Sequence, residues 1–336
     1  MSDLPSLRHS IGPLGFGGAP LGNMFRAVTE AQAEETLHAA WNAGIRYFDT
    51  APVYGTGLSE HRFGHALRSR PRDEFVLSTK VGRMLRANPG SDGNVGPFVG
   101  GLPFDVAYDY SADGAKRSVE DSLQRLGMSR IDIVYIHDIA EDVHGPGWKP
   151  LFDEAMTGAA QALDDLKRQG VIRAWGLGVN TVEACERALG QSNPDIFLLA
   201  GRYSLLNTPA LDKLFPDCLA RGVDVVVGGP YNSGLIAGGN NYNYREAETH
   251  EVAARDALTA VAARHGVDLR AAALQFCEAH PAVVSVIPGT STPARVAENV
   301  ALLAQPIPDA FWAELKAAGL IPAHAPTPAT PALASA

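Results

Sequence analysis

The chain has 336 residues, with 28 Lys and Arg against 37 Asp and Glu, a formal charge of −9, and 46% hydrophobic and 19% charged residues. That much apolar material fills a core and excludes an intrinsically disordered chain. The acidic balance, with no Lys/Arg run, excludes nucleic acid as the main partner, because neutralising phosphates takes a basic field.

No stretch approaches ~18 uncharged apolar residues, so no membrane span is expected. The opening MSDLPSLRHSIG lacks the apolar core of a signal peptide. The three cysteines, Cys185, Cys218 and Cys277, are far apart and suit neither a disulfide frame nor a CxxC metal site. A reducing, cytoplasmic setting is the expectation.

In chain order, apolar runs read as strands at 14–19, 45–49, 75–80, 131–137, 174–178, 196–199, 223–228 and 283–288. Most do not alternate with polar residues, which is how strands buried on both faces read. Helical patterns lie between them. Thr29-x-x-Gln32 has capping-box form and leads Leu37, Ala40 and Trp41 on one face. Ser59 stands where it would cap a second helix carrying Phe63, Ala66 and Leu67. Further helices are predicted at 116–126, 154–169, 182–189, 210–221, 253–265, 269–278 and 295–303. Gly44, Gly127, Gly170 and Gly222 each separate a helix from a strand, as a left-handed helix end requires.

This alternation predicts an α/β chain folded as a single closed (β/α)8 TIM barrel over residues 1–320, in preference to an open doubly wound sheet. An insertion at about 83–113, rich in Gly, Pro, Asp and Asn and carrying Phe98, Phe104, Tyr108 and Tyr110, leaves the C-terminal face after the third strand. A shorter loop at 240–244 follows the seventh strand. The Pro/Ala-rich tail 321–336 reads as disordered.

In such a barrel the chemistry sits at the C-terminal strand ends. Asp49 ends the second strand, Tyr54 follows it, Lys80 ends the third and His137 ends the fourth. The four complement one another. An acid holds the lysine, the ammonium lowers the tyrosine pKa from about 10, the phenol exchanges a proton, and the histidine polarises an oxygen. No HExxH or His-x-His pair marks a metal site, and none is expected.

The segments Gly44-Ile45-Arg46-Tyr47-Phe48-Asp49-Thr50-Ala51-Pro52-Val53-Tyr54-Gly55, Ser59-Glu60, Ser78-Thr79-Lys80 and Tyr135-Ile136-His137 resemble the aldo-keto reductase superfamily, in order and over most of the chain. That resemblance implies a (β/α)8 barrel binding a nicotinamide dinucleotide without a Rossmann domain. It also implies Tyr54 as proton donor or acceptor, Lys80 and Asp49 as its tuning pair, and His137 as ligand of the substrate oxygen. GFGGAPLGN, GLGVN and VVVGGPYNSG are similar to the branch holding L-fucose and D-threo-aldose 1-dehydrogenases, L-galactose dehydrogenase and pyridoxal 4-dehydrogenase.

The cofactor segments depart from the family's common pattern. The usual Gly-x-Ser-Asn is Gly176-Leu177-Gly178-Val179-Asn180, leaving Asn180 as the carboxamide ligand. Gln is replaced by Ala200, although Tyr203 remains. The stacking aromatic of the seventh strand falls on Gly228, with Tyr231 as a substitute. Ser233, Gly234 and Leu235 match the pyrophosphate segment, whose backbone N–H groups would hold the phosphates. At Gly289-Thr290 the lysine common in NADP-preferring relatives is missing, while Arg295 remains, within helical reach of Glu298. Losing one of two cations favours NAD over NADP. Glu298 and Asn299 resemble the pair that holds adenine.

The resulting expectation is an NAD(P)-dependent aldose 1-dehydrogenase oxidising a sugar's anomeric hydroxyl to a lactone. Trp148 would offer the sugar a flat face, and Arg83 and Asn232 would bond its hydroxyls. The alternatives are a pyridoxal 4-dehydrogenase, an aldehyde or ketone reductase, or a non-catalytic nicotinamide-binding sensor or accessory subunit. The partner in the first three is a small molecule; sequence leaves the oligomeric state open.

Overall fold

All eight predicted strands are present in the computed structural model, which describes residues 7–328. They are β1 (Phe16–Gly17), β2 (Tyr47–Asp49), β3 (Val76–Val81), β4 (Ile133–His137), β5 (Ala174–Val179), β6 (Ile196–Ala200), β7 (Asp224–Gly228) and β8 (Val283–Ile287). Each pairs in parallel with the next. Bridges Leu14↔Val286 and Gly17↔Gly289 join β8 back to the β1 segment and close the (β/α)8 barrel.

The missing alternation has a physical cause. Tyr47, Val76, Ile133, Tyr135, Ala174, Ile196, Leu198, Val226 and Ile287 form the inner cluster of the barrel. Their strand neighbours, such as Phe48, Leu77, Val134, Ile136, Trp175, Phe197 and Val225, belong to the layer beneath the helices. Both faces of each strand are covered, so both are apolar. The short helix Leu7–Ile11, not predicted, sets Ile11 and Leu7 against the inner cluster as the chain enters β1.

The outer helices follow the sequence with informative exceptions. Thr29 caps Glu30–Asn42, its hydroxyl accepting from the Gln32 N–H at 3.2 Å, but the expected capping box is not closed, because the Gln32 side chain donates to the Ser291 carbonyl at 2.6 Å. Ser59 does not cap. Gly57 occupies the cap of Leu58–Leu67, and the buried Ser59 Oγ instead donates to the Gly18 carbonyl at 3.0 Å and meets Thr50 Oγ1 at 2.8 Å. The helix predicted over 154–169 is two, Trp148–Thr157 and Ala159–Arg168, broken at Gly158. A Cβ on Gly158 would lie 2.9 Å from the Tyr110 carbonyl, so the break lets two backbones touch.

The insertion is not structureless. Arg83–Ala87 pairs antiparallel with Phe104–Tyr108, and Ser111 caps Ala112–Leu126. The chain between these hairpin strands is stitched to the loops after β1 and β2. The Phe25 N–H donates to Pro97 at 2.7 Å, Val99 to Asn23 at 3.1 Å and Leu102 to Gly55 at 3.1 Å. After β7, Asn241–Tyr242 pairs with Arg245–Glu246 around a turn whose Asn243 and Tyr244 have φ of 46° and 68°. Part of the tail is also ordered: Ile321 and Ala325 are buried in the outer core. Residues 329–336 lie outside the described residues. Among the described residues no helix is long and apolar enough to cross a membrane.

Candidate active site

Three neighbouring strands deliver polar side chains to one barrel end. Asp49 is the last residue of β2, and its Oδ2 accepts from Lys80 Nζ of β3 at 2.8 Å. The same ammonium donates to the Thr50 carbonyl at 2.8 Å. Asp49 stands in register with Ser78, whose hydroxyl donates to Asp49 Oδ1 at 2.6 Å. Lys80 is buried, and its stem runs past Gly178 of β5. A Cβ there would lie 3.4 Å from Lys80 Cε.

Tyr54, in the turn after β2, lies under this pair with Lys80 Nζ 4.7 Å from its ring centroid. His137, the last residue of β4, presents its ring edge-on to Tyr54 at 6.0 Å. All four sequence-predicted residues therefore meet at one mouth. The polar chain continues inward through partners the sequence reading missed: Tyr47 OH lies 3.1 Å from both Ser78 Oγ and Tyr135 OH. Polar residues at inward positions of otherwise apolar strands were the available signal.

Burial sets the electrostatics. It pushes Asp49 above the usual carboxylate range, against the opposing pull of Lys80 and Ser78. It drives the Tyr54 phenol well above its usual value, reinforced by the charges of Asp49 and Asp138 and countered by Arg83. The expectation that Lys80 lowers the phenol is therefore not met. The ammonium sits against the ring face and spends its donors on Asp49 and Thr50. His137 is driven well below its usual value by burial and by the cations Arg83 and Lys80, so its imidazole is neutral.

The insertion supplies the rest of the mouth. Arg83, at its start, pairs with Asp138 Oδ2 at 2.9 Å, beside His137. Phe98, buried, lies 5.4 Å from the Tyr54 ring. The structure thus identifies Asp138 and Phe98 as neighbours of the predicted residues. Nothing in their sequence context distinguished them from ordinary loop residues.

Trp148 does not face the mouth. It is buried in the outer core against Phe152, 5.5 Å between centroids, and offers no surface to a sugar. Its replacement acts on stability. Trp148→Ala should cost about 3–5 kcal/mol of unfolding free energy, with KM unchanged for any substrate. Denaturant titration beside steady-state kinetics checks this, and a raised KM in a fully stable variant would return Trp148 to the site.

The predicted cofactor residues fall into two neighbouring groups and one outlier. Tyr231 OH donates to Asn299 Oδ1 at 2.8 Å, joining the loop after β7 to the helix Pro293–Leu303. Asn232, Ser233 and Gly234 form a tight turn with φ of 47°, 57° and 101°. Ser233 Oγ accepts from the Tyr244 N–H at 2.9 Å, and the Leu235 side chain is buried. Asn232, expected to meet substrate, lies on this turn. It is buried with its amide oxygen and nitrogen both unpartnered.

Thr290 is buried, its hydroxyl accepting from the Thr292 N–H at 3.1 Å, and a Cβ on Gly289 would press on Pro20 at 2.9 Å. Arg295 is exposed and does not pair with Glu298. Arg270 holds Glu298 instead, at 2.5 Å, while also binding Asp268 at 2.7 Å. Arg26, unpredicted, reaches Ser291 Oγ at 2.8 Å. The outlier is Asn180, whose Nδ2 faces Asp142 Oδ2 at 3.2 Å and Asp138 Oδ1 at 3.4 Å, beside the tetrad. Tyr203 is core, packed between Phe215 and Phe276. Among the described residues no His, Cys, Asp and Glu cluster could hold a metal.

A barrel with these residues at its mouth defines a class, and the comparisons agree. The profile of the Aldo/keto reductase family matches residues 13–319. The chain is 39% identical over 327 residues to D-threo-aldose 1-dehydrogenase of a Pseudomonas species, covering 93% of this chain and 95% of that protein. It is 40% identical over 329 residues to pyridoxal 4-dehydrogenase of Microbacterium luteolum, covering 92% and 94%. Among solved structures it is similar to the holo form of an aldo-keto reductase from Bacillus halodurans, with a TM-score of 0.70 at 29% identity over 90% of this chain and 91% of that one. The chain belongs to the aldo/keto reductase family. It is an NAD(P)-dependent oxidoreductase, and its cofactor is a nicotinamide dinucleotide.

Proposed function

We propose that this protein is an aldose 1-dehydrogenase, oxidising the anomeric C1–OH of a cyclic sugar of the L-fucose, L-galactose or D-threo-aldose type to the lactone. The observation that carries this reading is the convergence of Asp49, Tyr54, Lys80 and His137 on one mouth in a chain similar along its length to a D-threo-aldose 1-dehydrogenase.

The residues fit a nicotinamide dinucleotide. A buried asparagine with both amide atoms unpartnered is costly unless a ligand completes it, and Asn232 is such a residue on the turn that Ser233 and Gly234 share. Asn232, Ser233, Gly234 and the backbone of Leu235 would hold the pyrophosphate. Gly289, Thr290, Arg295, Glu298 and Asn299 would line the adenosine end, with Tyr231 braced by Asn299 and Asn180 near the carboxamide. When bound, the cofactor supplies a hydride acceptor at C4 of its ring. The absent lysine at Gly289-Thr290 favours NAD, although Arg26 at Ser291 adds a guanidinium to that loop.

The chain's own groups manage the proton. Tyr54 Oη exchanges the substrate hydroxyl proton, and the neutral His137 hydrogen-bonds the same oxygen. Lys80, pinned by Asp49, sets a fixed positive charge against the phenol ring. Arg83 offers donors to the sugar's remaining hydroxyls. The high Tyr54 pKa favours a second reading, since a phenol that keeps its proton is suited to donating it to a carbonyl. This second reading makes the protein an aldehyde or ketone reductase, or an enzyme of pyridoxal, as the Microbacterium relative is named.

The test is formation of reduced nicotinamide by purified protein, with NAD+ and NADP+ in parallel. The substrates are L-fucose, L-galactose, D-arabinose, D-xylose, D-glucose and pyridoxal. Reduction with one or more sugars, and faster with NAD+, supports the first reading. Activity on pyridoxal alone, or on carbonyl compounds with reduced cofactor alone, replaces it. Cofactor binding without turnover on any of these makes the protein a sensor.

A further inference from the structure

Asp138 directly follows His137, and no step above uses it. Its backbone has φ of 49°, in the left-handed region that a non-glycine residue adopts at a cost and that clusters at functional sites. This turn brings the carboxylate back over its neighbour. Oδ2 lies 3.4 Å from His137 Nε2 and 2.9 Å from Arg83 Nη2. Oδ1 faces Asn180 Nδ2 at 3.4 Å. The side chain is only 14% exposed, so a carboxylate is held largely out of water beside a residue of the proposed machinery.

His137 is neutral and carries one proton on one of two nitrogens. The two sites are unequal. Nδ1 is buried and has no hydrogen-bond partner, so a proton there would be a buried donor without an acceptor. Nε2 lies beside a carboxylate, which attracts a proton and repels a bare lone pair.

We propose that Asp138 is a positioning residue whose carboxylate, anchored by Arg83, keeps the single proton of His137 on Nε2, so that the imidazole donates to the substrate oxygen. The proposal rests on the reading of His137 as the group that hydrogen-bonds that oxygen.

The charges around Asp138 predict its signature. Burial and Asp142 raise its carboxyl, Arg83 and Lys80 lower it, and the balance is about 6. His137 and Tyr54, which share the space, are uncharged near neutrality. As pH falls through about 6 the carboxylate is lost and the hold on Nε2 is lost with it.

The direct test is the nitrogen spectrum of the full chain with 15N-labelled histidine at neutral pH. The His137 signals are assigned by their absence in His137→Gln. A pyrrole-like Nε2 and pyridine-like Nδ1 in the wild type, turning to a mixture in Asp138→Asn, support the proposal. An Nδ1–H wild type, or the same pattern in Asp138→Asn, overturns it. This spectrum needs no substrate, so it is separate from the reading beneath it, which fails if His137→Gln retains turnover.

Kinetics add a second arm. In the wild type kcat should fall about tenfold below an acid limb near the Asp138 value. Asp138→Asn should sit at that lower level with no limb. Arg83→Met should move the limb to higher pH, because the cation that lowers the carboxyl is gone. A limb that persists in Asp138→Asn would overturn the assignment.

Discussion

Tyr54→Phe should abolish nearly all turnover while leaving cofactor affinity intact. A positioned general acid or base contributes about 10²–10⁴-fold, and the phenylalanine ring keeps the contacts with Phe98 and His137 while deleting only the exchanging oxygen. The loss belongs in kcat rather than in binding. Steady-state kinetics with the preferred substrate, beside titration of protein fluorescence with the dinucleotide, separates the two. Because Phe fits the half-buried ring site, the unfolding transition should stay within experimental error of the wild type. Near-normal turnover in this variant would remove Tyr54 from the chemistry and with it the proton path proposed above.

Lys80→Met strikes both stability and rate. Lys80 and Asp49 are buried together, and taking away the ammonium leaves a carboxylate with only the Ser78 hydroxyl as partner. Breaking a buried pair from one side typically costs about 3–5 kcal/mol. Denaturant unfolding should register a loss of that order. The double variant Asp49→Asn with Lys80→Met should recover much of the stability, since replacing both buried charges removes the uncompensated one. It should not recover activity, because the charge against the Tyr54 ring is still missing. Recovery of both would make the pair purely structural. Loss of stability in the double variant equal to that in the single would mean that packing of the lysine stem, not its charge, is what the barrel needs.

Much of this was legible in order along the chain. Strands buried on both faces announce themselves because every residue in them meets apolar neighbours, inner cluster on one side and helix layer on the other. The tetrad was legible because three of its members lie at or next to the ends of adjacent strands and the fourth follows one closely, so neighbours in the barrel order are neighbours at the mouth. Thr29 was legible as a cap because capping is local.

What sequence could not yield depends on contacts between distant segments. Ser59 looks like a cap, yet its hydroxyl is spent on Gly18 and Thr50, because Gly57 takes the cap position. Trp148 stands in a polar-looking loop, yet it starts a helix that buries it. Arg295 is one helical turn from Glu298, but Arg270 reaches that carboxylate first from the neighbouring helix Leu269–Glu278. The sign of the Tyr54 shift inverts for the same reason. Spacing pairs it with Lys80, while its protonation follows from how deeply the ring is covered and from two carboxylates, Asp49 at the end of the strand it follows and Asp138 brought in after β4. Local pattern thus identifies which groups arrive at the barrel mouth, since strand order carries them there. The partner each group takes, and the protonation state it holds, follow from burial and from through-space charge, which have no period along the chain.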